Sequence, residues 1–315
     1  MEKSFIEKYV KIIVVLAVAA GSTSGIFGSV IEAPSMAIGF WRLTLGLPFF
    51  AVPVLIKILK GQESRAEAFS GLGKKEIFWT FVAGAFLFGH FFTWFNAVKN
   101  TNVASAVVLA ALHPLVVLAV TVFVFKRHVG KRPIVGIILA LSGGVMITGI
   151  DYRELTEGNF KGDVLAFLAA VFMGLYFAIG AEVRKKVAGQ TYVLLVFFAC
   201  WLCFSIGMLA TGTGALGYSR MDYIYIIALT VVCQIGAHAV FNLCFGHVDS
   251  LYVSAWESGE SAFAIGLGIV FLGQMPKSWQ IIGGIIVIIG LLYYNYYAAV
   301  EDKNLRRKER ESSEL

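Results

Sequence analysis

The sequence predicts an all-α polytopic membrane protein in which ten transmembrane helices form two inverted five-helix repeats. Three observations predict it. Apolar residues make up 58% of the 315 positions and charged residues only 15%, well outside the balance of a soluble domain. Apolar runs of about 20 residues, enough to cross a bilayer as a helix, recur along almost the whole chain. A glycine-marked pattern closing the first half returns at a fixed offset in the second.

The expected spans are residues 11–31, 36–57, 77–98, 103–125, 134–150, 163–183, 191–211, 222–245, 250–272 and 279–299. The first begins like a secretory signal, with charges and then the apolar Ile12–Ala20. Its apolar run continues past Gly25 to Val30, and further spans follow, so it reads as an uncleaved helix. The second span carries Arg42. The third carries Gly89-His90 and Trp94-Phe95-Asn96, and the fourth His113-Pro114. The fifth is the glycine-marked Ile134-Val135-Gly136 to Gly143. An acidic loop from Asp151 to Asp163 separates the halves, and the sixth span holds Tyr176.

The seventh and eighth spans contain all four cysteines: Cys200, Cys203, Cys233 and Cys244. Cys200 and Cys203 have the spacing of a redox or zinc half-motif without a second pair, so small buried apolar residues are the expected role. The eighth also holds His238 and Asn242, and the ninth Trp256, Glu257 and Glu260. The tenth repeats the pattern as Ile281-Ile282-Gly283 to Gly290. The chain thus divides into residues 1–150, residues 151–300 and a basic tail, 301–315.

The net charge of +6 is no nucleic-acid signal, because topology distributes it. With the N-terminus inside, twenty of the 26 lysines and arginines fall on inner segments and five on outer ones. The remaining one, Arg42, lies in the interior of the second span. That asymmetry places both termini in the cytoplasm of a multi-pass cell-membrane protein. A basic tail also favours anionic membrane lipid.

Gly283 and Gly290 stand 147 positions after Gly136 and Gly143, with no gap between them. Five spans per repeat is an odd number, so the halves must insert in opposite directions. The charges agree. The loop from Lys126 to Arg132 is basic, while its equivalent from Gly273 to Ser278 keeps only Lys277. The same offset sets His113 on Glu260, each midway along an apolar run. Ionisable groups at that depth are costly and by default functional. A looser echo relates Gly89-His90 and Asn96 to Gly236, His238 and Asn242, and makes both histidines candidates.

Glu257 and Glu260 share one face of the ninth helix, flanked by Trp256. Two carboxylates this close cannot both ionise cheaply in low dielectric, which suits proton coupling or a cationic substrate. Histidine titrates near neutrality and can relay protons. Trp94, Trp256 and Tyr176 lie deeper than the interfacial Trp279, Tyr223 and Tyr225. They could face an ammonium group or a flat apolar one. Asn96 and Asn242 could bond substrate or join helices, and Arg42 facing a carboxylate would suit a zwitterion. The histidines and glutamates come from four helices with no compact ligand spacing, so no metal site is expected.

The segments Ser258-Gly259-Glu260 to Leu272-Gly273-Gln274 and Gln280-Ile-Ile-Gly283 to Gly290 resemble the closing motif of EamA-type transporters of the drug/metabolite transporter superfamily. That motif has a carboxylate followed by a small residue or proline, an LGE turn, then QxIGxxxIxxG. His113-Pro114 with Gly136 to Gly143 resembles a first-half version, Phe40-Trp41-Arg42 the F-x-R of the second helix, and Gly21 to Phe27 the first-helix segment without its tryptophan. Here the LGE turn reads Leu272-Gly273-Gln274.

The resemblance implies a secondary transporter, not an enzyme, with substrate in a cavity between the repeats. The residues favour a small cationic or zwitterionic, amine- or amino-acid-like metabolite, moved by alternating access with a possible coupling proton. The rivals are a membrane-embedded lipid or isoprenoid enzyme and a channel or structural subunit. No inner or outer loop shows the Asp/His/Arg cluster such an enzyme uses. No cofactor is expected. Internal duplication makes a monomer sufficient, and a homodimer is compatible with it.

Overall fold

The computed structural model describes residues 5–61, 64–126, 131–148, 160–240, 260–273 and 275–313, and all regular structure among them is helical. In chain order the helices are α1 (Phe5–Gly21), α2 (Ser24–Val30), α3 (Ser35–Leu59), α4 (Arg65–Ala68) and α5 (Lys74–Asn100). There follow α6 (Val103–Ala110), α7 (His113–Ala119), α8 (Lys131–Thr148), α9 (Phe160–Val183) and α10 (Gly189–Thr211). Last come α11 (Arg220–Leu229), α12 (Glu260–Leu272) and α13 (Ser278–Ser313). Two helices continue in π form, α7 over Val120–Val124 and α11 over Thr230–Ala239. The π form ordinarily appears as single turns, often at functional sites, so a ten-residue run is long.

Seven helical stretches among the described residues are long and apolar enough to cross a membrane, from Ile12–Val30 to Arg220–Ala237. The expected fifth and tenth spans fall on α8 and on the apolar part of α13, Ser278–Tyr294. The ninth is described only from Glu260, as α12. Leu209 (85% exposed), Phe123 (78%) and Val270 (75%) project outward. Such a girdle would be an aggregation hazard in water and is the ordinary surface of a helix bundle in hydrocarbon. The protein is a multi-pass membrane protein.

Two spans expected as single helices are broken instead. The first breaks at Ser22 and Thr23, whose hydroxyls donate back to Val18 O and Ala20 O, both at 2.7 Å. Short hydroxyl side chains compete for helical carbonyls in this way. The fourth breaks at Ala111 and Leu112, because Pro114 has no N–H to offer Ala110 O one turn earlier. His113 fills that vacancy: its Nδ1–H donates to Ala110 O at 3.3 Å. Both breaks lie beside the cavity formed where the two halves meet.

Helices α8 and α13 pack backbone to backbone through the glycines of the repeated pattern. A Cβ on Gly143 would stand 2.6 Å from Gly283 O, and one on Gly290 would stand 2.5 Å from Ala140 N and 2.7 Å from Gly136 O. The early glycine of each helix therefore meets the late glycine of the other, so the two run antiparallel. Without a hydrophobic difference between lipid and protein, small residues that allow close approach are what hold such a pair.

Elsewhere α5 packs on α9, with Gly89 against the Phe172 ring, and on α10, with Gly84 against Ala199. The helix α1 packs on the π-helical end of α11, bringing the start of the chain against its second half.

One end of the bundle is fastened by Asp222. Its carboxylate accepts from Ser219 N and Oγ, completing a capping box, and its Oδ1 accepts from Glu32 N at 2.8 Å and Ala33 N at 3.4 Å. Lys99 Nζ donates to Ala33 O at 2.6 Å, so the α2–α3 turn is held from two helices. Asp222→Ala removes the carboxylate half of the capping box and strands the Glu32 and Ala33 amides. The expected cost is about 2 kcal/mol, read as a lower melting temperature of the purified protein. Asp222→Asn, which keeps Oδ1, should recover most of it. Equal losses in both variants would refute this account.

Candidate functional site

A cavity of about 90 Å³ lies where α1, α2, α3, α5, α6, α7, α9, α12 and the π-helical end of α11 meet. It takes residues from both halves of the chain. Arg42, His90, Trp94, His113 and Glu260 line it, together with Gly21, Ser24, Phe91, Met173 and Cys233.

Arg42 is the cationic wall. Helix α3 buries it completely at 1% exposure, next to the half that α11 supplies. Its Nε donates to Gln234 Oε1 at 3.0 Å, and its guanidinium carbon lies 4.3 Å from the centre of the Phe91 ring. Among the described residues the Nη2 nitrogen has no hydrogen-bond partner. A charge with an unspent donor is expensive in so dry a setting unless an anion answers it.

Glu260 is the anionic wall. Its carboxylate rests against α1, where a Cβ on Gly21 would stand 3.3 Å from Oε1. A side chain at position 21 would crowd the carboxylate by a few tenths of an ångström. Arg42 and Glu260 interact electrostatically, yet among the described residues no ion pair joins them. Opposite charges therefore border one small space without neutralising each other by contact.

Two imidazoles complete the polar lining. His90 Nδ1–H donates to Ala169 O on α9 at 2.9 Å, and His113 Nδ1–H donates to Ala110 O. A carbonyl can only accept, so each ring carries a proton on Nδ1, and in the neutral form Nε2 is an acceptor. Trp94 is 7% exposed and supplies an apolar wall. Such a lining can receive a small ligand with one anionic and one cationic end: a guanidinium for the first, a carboxylate and ring nitrogens for the second.

Other residues that the sequence marked as candidates lie elsewhere. The Asn96 amide turns back on its own helix, donating Nδ2–H to Phe92 O at 2.8 Å, and does not line the cavity. Tyr176 stacks on Phe177 with ring centres 5.2 Å apart and packs against the core, also away from the lining. His238 lies in the π-helical stretch, where only its backbone is described. Trp256, Glu257 and Asn242 lie outside the described residues.

Sequence reasoning missed Gln234, Cys233, Ser24 and Gly21. Gln234, a buried amide mid-span, carried the same signal as Asn96 and could have been found by it. Cys233 borders the cavity with its sulfur 3.2 Å from Thr23 Oγ1, a polar contact that the expected apolar role did not include.

A sequence model of the EamA-like transporter family matches residues 9–149 and 160–296. The uncharacterized transporter YxxF of Bacillus subtilis (strain 168) is 22% identical over 219 residues, 69% of this chain and 70% of that protein. The uncharacterized transporter YetK of the same organism is 22% identical over 253 residues, 78% of this chain and 71% of that protein. A solved crystal structure of a protein superposes with a TM-score of 0.60 at 17% identity, covering 93% of this chain and 98% of the other. At that identity the likeness concerns the fold alone.

Proposed function

The chain belongs to the EamA-like transporter family, and from that premise we propose that it is a secondary transporter moving a small organic metabolite, amine- or amino-acid-like and cationic or zwitterionic, across the cell membrane. One observation carries the reading. Arg42 and Glu260, contributed by different halves of the chain, face one cavity with opposite charge and no ion pair between them. Fixed opposite charges in a dry cavity favour a ligand that brings both signs and disfavour one that brings neither.

The proposed architecture is two inverted repeats, residues 1–150 and 151–300, followed by the basic tail. The reciprocal glycine contacts of α8 and α13 support it. A two-fold relation between the repeats requires that if Gly136 meets Gly290, Gly143 must meet Gly283, and both contacts occur. Halves related in this way can rock about a site on their boundary, which is alternating access. Both termini then face the cytoplasm, as the lysines and arginines favour, and the tail lies near anionic lipid. His90 and His113, which line the cavity and use Nδ1 on backbone carbonyls, offer places for a coupling proton. A monomer suffices for the cycle, and a homodimer is compatible with it.

Exchange in proteoliposomes tests the function. Vesicles preloaded with an unlabelled amino acid should take up the labelled one transiently by counterflow, with saturation. Continuous single-channel current would instead make the protein a channel, and no uptake across a panel of amino acids and amines would refute the substrate class.

A further inference from the structure

Gln234 lies outside the polar residues that the pattern of the chain singled out, yet it orients the guanidinium of the cavity's cationic wall. It is fully buried, in the π-helical continuation of α11 that also brings Cys233 and Ala237 to the cavity. Its Oε1 takes the Arg42 Nε–H at 3.0 Å. Gly46, one turn beyond Arg42 on α3, makes room for it: a Cβ at position 46 would stand 2.2 Å from Gln234 Nε2. The centre of the Phe91 ring lies 4.3 Å from the guanidinium carbon. A hydrogen bond at Nε and an aromatic ring beside the cation together restrict the fork.

With Nε spent on Gln234, Nη2 is left without a partner among the described residues, though Arg42 is 1% exposed and borders the cavity. Arginine's rigid fork matches the two oxygens of a carboxylate. Glu260 answers at the same cavity with the opposite sign, against α1. A ligand that carries a carboxylate and an ammonium group on one carbon presents both complements.

We propose that Gln234 is a positioning residue that holds the Arg42 guanidinium for the carboxylate of a zwitterionic substrate, so that the site distinguishes an amino acid from the amine left when its carboxylate is removed. The inference rests on the transporter reading and narrows it to the zwitterionic class. Glutamine serves this better than glutamate would. A neutral acceptor orients the fork without cancelling its charge, whereas a carboxylate at 234 would compete with the ligand.

The test compares three pairs of probes: L-leucine with isoamylamine, L-phenylalanine with phenethylamine, and L-lysine with cadaverine. Each is scored by thermal stabilisation of the purified full chain, because a ligand of the native state must raise apparent stability. The parent should favour at least one amino acid over its amine by about tenfold or more, the worth of a charge-assisted hydrogen bond. Gln234→Leu should lose that preference through weaker amino-acid binding, with amine binding unchanged. Gln234→Glu, which keeps volume and acceptor, should lose it also, with amine binding kept or raised.

If either folded variant discriminates like the parent, or if both members of a pair weaken alike, Gln234 does not position the anchor. A parent that binds amines as well as amino acids overturns the carboxylate anchor and leaves the transporter reading standing on Glu260. Binding of neither member of any pair refutes the substrate class itself.

Discussion

Glu260→Gln is expected to lower flux in proteoliposomes by about 30-fold or more at subsaturating substrate. That is the low end of the loss caused by removing one member of a desolvated charge pair. The substitution keeps shape and removes charge, so the cavity's volume is unchanged and its anionic wall disappears. Arg42 then stands unanswered beside the ligand. The loss should depend on ligand charge: an amine probe should suffer most, and a neutral amide analogue least. Glu260→Asp retains the charge on a shorter stem and should keep part of the activity. A Gln variant that transports at the parent's rate, with the parent's response to a pH gradient, would show that the carboxylate does not serve transport.

Gly290→Val should be the most damaging single change to folding. A Cβ at 290 already stands 2.5 Å from Ala140 N and 2.7 Å from Gly136 O, and both are backbone atoms with no rotamer to yield. Helices α8 and α13 would have to separate along their whole contact, forfeiting the close packing that replaces the hydrophobic effect inside a bilayer. A loss of about 3 kcal/mol or more is expected, at the upper end for overpacking, measured by titrating the purified protein from mild detergent into dodecyl sulfate. Gly143→Val, through the reciprocal contact with Gly283, should behave alike. Gly266→Ala is the control, because no described atom lies within 4 Å of a Cβ there. Equal stability of the Gly290 and Gly266 variants would refute the backbone-contact account.

These expectations rest on different layers of information. That the chain crosses a membrane many times was legible in composition alone, since hydrocarbon demands apolar runs of fixed length whatever the fold. The repeated glycines were legible too, because their spacing is a property of the chain. So was Glu260, whose cost in an apolar run marks it before any neighbour is known.

Direction and partnership were not legible. Asn96 and Gln234 are both amides within apolar runs, and nothing local separates them. The fold turns Asn96 onto Phe92 O of its own helix and sets Gln234 against an arginine 192 positions away. Tyr176 looked as deep as Trp94, but it faces Phe177 while Trp94 faces the cavity. Lipid and protein interior are equally apolar to a hydropathy pattern, so the pattern gives a helix's length and hides which face meets which neighbour.

The sequence by itself therefore determined the membrane class, the placing of apolar runs, the repeated pattern and the presence of deep ionisable groups, because each depends on residue type and spacing. Only the tertiary structure decided that Gly136 meets Gly290 rather than its own counterpart, that His113 takes the carbonyl Pro114 leaves open, and that Gln234 aims Arg42. Those are contacts between residues brought together by packing, and their energies exist only once the helices have chosen their faces.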